Sequence, residues 1–238
     1  MLKGTRLVAG TAIAVALAMT WLLGTSDAAG PLAAVKTTNA SKLSEDLYDG
    51  LRGTSLLESS VFSKRGEYLG RVRNAIISRD GQIEHLVVEG GGPLMVPEFV
   101  FRVPWNRLGL PVHTGALIAD LSDTGAREYG LFLDPKASKN ETDGFQMNRL
   151  IGDYARLQTG QGFGYVTDLV FSPTGKMMAV LVARDKQAGG GTIAFPYPDK
   201  MENWSPSMSY YGLPYITAEQ ANQAGMAVKM RAFSDTKS

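Results

Sequence analysis

The chain has 238 residues, 44% of them hydrophobic and 20% charged, which is enough apolar side chain to order one large domain or two small ones. It has no Cys and only two His, His85 and His113, so disulfides, thiolate metal centres, covalent haem and thiol nucleophiles are excluded and most His-ligated metal sites are out of reach. With 24 Lys and Arg against 23 Asp and Glu, it lacks the basic surface that nucleic acid requires, and the composition leaves mainly binding.

Residues 1–28 read as a targeting segment. Lys3 and Arg6 precede an apolar stretch from Leu7 to Leu23, and no charge occurs between Arg6 and Asp27. Ser26-Asp27-Ala28 places small residues where a signal peptidase would cut after Ala28. An uncleaved anchor is the alternative, because 20 uncharged residues from Leu7 to Ser26 are just long enough to span a bilayer. Either way the basic residues stay cytoplasmic and the body of the protein is translocated. Removal of the segment leaves 22 basic against 22 acidic residues. Residues 29–54 form a linker: 29–40 is a tether rich in Ala, Thr and Pro, and 41–52 is expected as one short helix through Leu43, Leu47 and Leu51, closed by Gly53.

The rest is organised by an internal repeat. Gly70 to Gly81 aligns with Gly164 to Gly175, both pairs being 11 apart, with Val72 on Val166, Ile76 on Val170 and Ser78 on Ser172. Each copy continues through an apolar run (83–88, 177–182) and a glycine cluster (90–92, 189–191), which reads as a hairpin loop. Each ends in Val103-Pro104-Trp105 or Phe195-Pro196-Tyr197. The offset is 94 at the glycines and 92 at the prolines. Arg71, Arg73 and Ala75 alternate with Val72, Asn74 and Ile76, which predicts a half-buried strand with the arginines facing water. Asp80-Gly81 predicts a tight primed hairpin turn, with Thr174-Gly175 as its weaker equivalent. About five short strands per copy suit a small closed barrel. The fold class is therefore mostly β, with two barrels at 55–110 and 149–203.

Between the barrels, in 111–148, Ala116 to Leu121 and Arg127 to Leu133 read as strands about an Asp123-Thr124-Gly125 turn, followed by a polar loop from Asp134 to Gly144. Residues 204–238 begin with the aromatics Trp204, Tyr210, Tyr211 and Tyr215, after which Thr217-x-x-Gln220 opens a C-terminal helix that carries Met226 and Met230 on one face.

Gly70-x-Val72, Asp80-Gly81, the strand from Leu86 to Val88 and Val103-Pro104-Trp105 resemble the PRC-barrel family. Gly164-x-Val166, Gly175, Val180 to Val182 and Phe195-Pro196-Tyr197 do so a second time. The likeness covers roughly 55–108 and 149–201. This family is shared by the H subunit of photosynthetic reaction centres and the C-terminal part of a ribosome-maturation factor. The resemblance implies a small β-barrel adaptor that binds other macromolecules, with no catalytic residues. The basic N-terminus places these barrels on the opposite side of the membrane from that H subunit's.

No catalytic, cofactor or metal residues are assigned. Gly160-x-Gly162-x-Gly164 has the wrong spacing for a dinucleotide loop and precedes a strand. Glu84 and His85, adjacent in a strand, point to opposite faces. Candidate partner residues are Arg71, Arg73 and Arg79, a basic stripe near Glu67, Glu84 and Glu89, together with Trp204, Tyr210, Tyr211 and Tyr215. The leading expectation is an exported binding or scaffold protein of the periplasm that engages another envelope protein. Alternatives are an accessory subunit anchored through residues 7–23, and a ligand binder or enzyme with a pocket between the barrels.

Overall fold

Tight turns of one kind bend the long strands back on themselves. A computed structural model of the protein describes residues 46–91, 97–109, 115–120, 144–197 and 208–233. After a 3-10 turn at Leu47–Asp49 come β1 (Leu51–Arg52), α1 (Gly53–Glu58), β2 (Ser60–Ser63), β3 (Tyr68–Ile77), β4 (Ile83–Gly91), β5 (Pro97–Pro104), β6 (Leu108–Gly109) and β7 (Ala116–Ala119). The second half comprises β8 (Phe145–Gln146), α2 (Met147–Leu150), β9 (Tyr154–Arg156), β10 (Gly162–Phe171), β11 (Met177–Arg184), β12 (Thr192–Pro196), β13 (Tyr210–Gly212), α3 (Ala218–Ala224) and β14 (Met226–Val228). The protein is mostly β. One curled seven-stranded sheet runs β5-β4-β3-β2-β7-β6 and the other β13-β9-β10-β11-β12-β14. Pairing is antiparallel except for β2 with β7 and β9 with β13.

The seventh strand of each sheet comes from the other half of the chain. β1 pairs with β10, Leu51 opposite Phe171, and β8 pairs with β3, Phe145 opposite Ile77. Both crossings occur at the same place in the repeat, since each residue of one pair lies 94 from its counterpart in the other. This explains why Ala75 is fully buried rather than facing water. The alternation holds through Arg73, a register shift intervenes before Asn74, and Asn74 to Ile77 are then all buried.

The crossing redirects the last residues of the helix expected over 41–52. Residues 41–45 lie outside the described residues; Asp46 is helical and Leu47–Asp49 make a 3-10 turn, after which Leu51 and Arg52 are drawn into strand pairing. Gly53 opens α1 instead of closing a helix, and a Cβ there would lie 2.8 Å from Met147 Sδ.

Behind each crossing sits a buried polar side chain. Asp168 is 2% exposed and accepts from the Thr54 amide at 3.0 Å, the Thr54 hydroxyl at 2.5 Å and the Leu169 amide at 2.9 Å. The Arg52 guanidinium is 3.8 Å away. At the matching place in the first sheet, Asn74 Oδ1 accepts from the Ala75 amide at 2.9 Å and the Asn148 amide at 3.3 Å, while its Nδ2 donates to Gln146 at 3.2 Å. One site is charged and the other neutral, with the same backbone amides held. Burial raises the Asp168 carboxyl above its ordinary range, and the hydrogen bonds from Thr54 and Leu169 and the charge of Arg52 oppose that rise.

The turns are a further correction. Ser78 pairs with Gln82, and Ser172 with Lys176, so each hairpin has a three-residue loop with glycine last, not a two-residue primed turn. The same loop recurs at Ser63–Glu67 and Leu157–Gln161, which makes the glycines from 160 to 164 a hairpin entry. Gly81 (φ 85°) and Gly175 (φ 83°) have left-handed backbone that a side chain rarely adopts.

These two turns meet. The Ile83 amide donates to Gly175 O at 2.8 Å and the Met177 amide to Gly81 O at 2.7 Å, a short antiparallel bridge between Gln82 and Lys176. Gln82 Nε2 donates to Thr174 O at 2.9 Å, and Lys176 Nζ returns the contact to Asp80 O. Each closing aromatic covers the other half's turn: a Cβ on Gly175 would lie 2.5 Å from Trp105, and one on Gly81 2.5 Å from Tyr197. The Tyr197 hydroxyl donates to Arg79 O at 3.0 Å.

Elsewhere, a Cβ on Gly70 or Gly164 would lie about 2 Å from the carbonyl oxygen of Glu89 or Ala183, so these glycines let the neighbouring strand come close. Gly90 and Gly91 belong to β4 and are not loop residues, whereas Gly189, Gly190 and Gly191 do form a tight loop. Thr217 and Gln220 make the expected capping box on α3, but the helix ends before Met226, which lies in β14.

The inner faces of both sheets share one apolar core, including Leu86, Phe101, Trp105, Phe163, Phe195 and Tyr197. A second, smaller core lies on the outer face of the second sheet, where Val170, Ala179, Leu181 and Ala194 are covered by Leu47 and Phe233.

Two measurements test these contacts. Gly175→Ala combines a left-handed backbone with a clash against an indole, and thermal or urea unfolding is expected to show a loss of about 2–4 kcal/mol. Asp168 has a raised folded pKa, so the folded state holds its proton more tightly than the unfolded chain. Its contribution to stability is therefore largest below the unfolded value and is lost as pH rises through the folded one. Wild type is expected to gain stability relative to Asp168→Asn as pH falls from 7 towards 4, read from paired urea titrations; parallel curves would refute the assignment.

Candidate interaction surface

Strand alternation divides the aromatic segment between core and surface. In β13, Tyr211 turns inward and is 6% exposed, while Tyr210 on its flank faces out. Burial pushes the Tyr211 phenol far above its ordinary value. Tyr215 packs its ring 5.7 Å from Phe195, so it too belongs to the interior. Trp204 lies outside the described residues, as do His113, Gly92, residues 1–45 and residues 121–143.

Parallel pairing of β13 with β9 sets Tyr210 beside Tyr154. Antiparallel pairing of β9 with β10 sets Tyr154 beside Tyr165, their rings 4.7 Å apart and edge to face. The Arg156 guanidinium lies 5.2 Å from the Tyr210 ring centre and 5.9 Å from that of Tyr154. Tyr154 is fixed in place, because its hydroxyl donates to Asp185 at 2.5 Å and its ring crosses Gly162, where a Cβ would clash. The hydrogen bond to that carboxylate raises the phenol above its ordinary value. Tyr165 is 52% exposed. Three rings and a stacked cation on a rigid sheet offer apolar area, hydroxyl donors and a delocalised charge at low entropic cost.

The matching edge of the first sheet carries a second exposed apolar group. Phe62 opposes Tyr68 on β3 and Ile118 on β7, with Tyr68 50% and Ile118 46% exposed. The Phe62 and Tyr68 rings meet edge to face at 5.6 Å.

The arginine stripe is split. Arg71 and Arg73 are both exposed on β3; Arg71 lies opposite Glu89 on β4, and Arg73 pairs with the Glu89 carboxylate. Arg79 sits apart in the turn that Tyr197 covers. Asp80 in that turn has its carboxyl held low by the Ser78 hydroxyl and by Lys176. His85, half-buried, has its pKa lowered by desolvation and by Arg102, against the opposing charge of Glu84. The motif residues Gly70, Val72, Gly81, Trp105, Gly164, Val166, Gly175 and Tyr197 are all buried, with Pro104 and Pro196 ending their strands. They build the fold and not the surface.

Sequence reasoning missed Tyr154, Arg156 and Tyr165. The available signal was Tyr165 itself, at an outward position between two inward ones, where the first copy has Arg71. Tyr154 and Arg156 carry no such signal, since β9 is three residues long. Among the described residues, no three His, Asp or Glu side chains converge as a metal site requires, and no helix is long and apolar enough to cross a membrane.

The PRC-barrel domain family model matches residues 49–123, from the 3-10 turn before β1 to just beyond β7. No curated protein matches the chain.

The division of the tyrosines has a measurable consequence. Tyr211→Ala removes a fully packed aromatic and is expected to cost about 3–5 kcal/mol, whereas Tyr210→Ala is expected to cost roughly 1 kcal/mol or less in the same unfolding assay.

Proposed function

We propose that the chain is a non-catalytic binding scaffold of the cell envelope, made of two tandem PRC-type barrels. The match at 49–123 supports the first. For the second, the support is the pairwise correspondence of strands, crossings, turns and buried polar sites at an offset of 94. Export rests on Lys3, Arg6, the apolar stretch after them and the small residues before Ala29.

The observation that carries the binding assignment is the tyrosine cluster of exposed Tyr165 with half-buried Tyr154 and Tyr210, and Arg156 beside the last two. Tyr and Arg are the residue types that dominate protein interfaces, and here they stand on paired strands that need no ordering on contact. A near-neutral chain has little long-range field to steer it, so recognition falls to local shape and these rings. The partner is another envelope protein.

Photo-crosslinking amino acids at positions 165 and 210 are expected to yield adducts with the same protein in intact envelopes, and one at the exposed Arg107 is not. Equal labelling at all three, or none, would overturn the assignment. The uncharged stretch from Leu7 to Ser26 favours a second version, an anchored accessory subunit. N-terminal sequencing decides between the two: a mature start at Ala29 removes the anchor.

A further inference from the structure

The tyrosine cluster holds a charge that the fold leaves unanswered. Arg156 is exposed, and its guanidinium lies against two rings, 5.2 Å from the centre of Tyr210 and 5.9 Å from that of Tyr154. Among the described residues, no hydrogen bond or ion pair engages that guanidinium. Asp185, the carboxylate that borders the cluster, accepts instead from the Tyr154 hydroxyl at 2.5 Å.

The sheet itself does not require the charge. At the offset of 94 that relates β9 to β2, Arg156 stands where the first half has Phe62. Phe62 is opposed by Tyr68 on β3 and Ile118 on β7, which extend its apolar group. Arg156 is opposed by Gly162 on β10 and Gly212 on β13, which bring no side chain to it. The second half thus sets a cation where the first sets a ring, with no acid directly opposite on either neighbouring strand.

Stacking orients a guanidinium without using its N–H donors. A planar edge with two parallel donors stays available, and it matches the two oxygens of a carboxylate. A molecule that covers the rings of Tyr154 and Tyr210 also covers the guanidinium that touches both, and strips it of water. A charge desolvated in this way is strongly unfavourable unless an opposite charge is supplied with it.

Resting on the binding reading above, we propose that the partner protein presents one carboxylate side chain, Asp or Glu, to Arg156. The strands β9, β10 and β13 carry no other Lys or Arg. A lone cation suits a singly charged carboxylate, whereas phosphorylated segments and anionic membranes are met by clusters of cations.

The test uses the full-length chain in intact envelopes, with the photo-crosslinking residue at position 165 reporting contact. Arg156→Glu is expected to lower the adduct yield at least about tenfold, because it sets like charges against each other. In Arg156→Lys, a carbodiimide, which joins an amine to a carboxylate that it touches, is expected to link position 156 to an Asp or Glu of the protein captured at 165, as read by mass spectrometry. Unfolding curves of both variants are expected to overlay that of wild type, since the first half tolerates Phe62 at the equivalent place. Equal adduct yields from wild type and Arg156→Glu would overturn the carboxylate and leave the tyrosine surface standing. So would the absence of a carbodiimide product with the captured protein. A lost adduct accompanied by a destabilised fold in both variants would assign Arg156 to the scaffold and also overturn it. A wild-type chain that gives no adduct at 165 would overturn this proposal together with the binding reading.

Discussion

The contact between two hairpin turns is the constraint on which the rest of the structure depends. Backbone amides of Ile83 and Met177 donate across it to the carbonyls of Gly175 and Gly81, so each half closes the ladder of the other. The contact is possible only because both turns end in glycine, which leaves the third loop position bare for an aromatic ring to cover. From this follow the positions of Trp105 and Tyr197, each beyond a proline that ends its strand and sends the chain over the partner turn. The strand crossings of β1 and β8 act in the same direction. Neither sheet is complete without a segment from the other half, and the apolar core is accordingly continuous.

The two halves of the chain differ in the polar sites behind those crossings. Asn74 and Asp168 hold the same backbone amides, but one is neutral beside Gln146 and the other ionisable beside Arg52. A buried carboxylate carries a desolvation cost that the amide avoids, and the hydrogen bonds from Thr54 offset part of it. Arg52 also reaches Phe233, its guanidinium 5.7 Å from the ring centre, so the charged version ties the C-terminal segment to the crossing strand.

The same economy of parts separates fold from function. The glycines, valines and closing aromatics that mark the motif (Gly70, Val72, Gly81, Trp105, Gly164, Val166, Gly175 and Tyr197) are buried and Pro104 and Pro196 end strands, while Asp80 is exposed in the turn contact; none of them belongs to the tyrosine cluster. That cluster lies at positions where the two halves differ: Tyr154, Tyr165 and Tyr210 stand where the first half has Ser60, Arg71 and Ala116. The repeat motif thus says how the scaffold is built, and its departures from symmetry say where it makes contact. Much of the fold was legible beforehand for this reason, whereas the site was legible only through Tyr210, the outward residue among the three described aromatics of that segment.

The amino-acid sequence by itself determined the repeated glycine and proline positions, the long central strands and the capping box on α3, because each is set by local periodicity or by a single residue's backbone limits. It did not determine that Ala75 would be buried, that Leu51 and Arg52 would leave their helical pattern, or that Tyr210 and Tyr211 would part company. Those outcomes came from pairing between segments about 70 residues apart for β3 with β8, about 120 for β1 with β10, and about 55 for β13 with β9. Local preference cannot register such contacts, and only the tertiary structure could decide which half of the chain would complete which sheet.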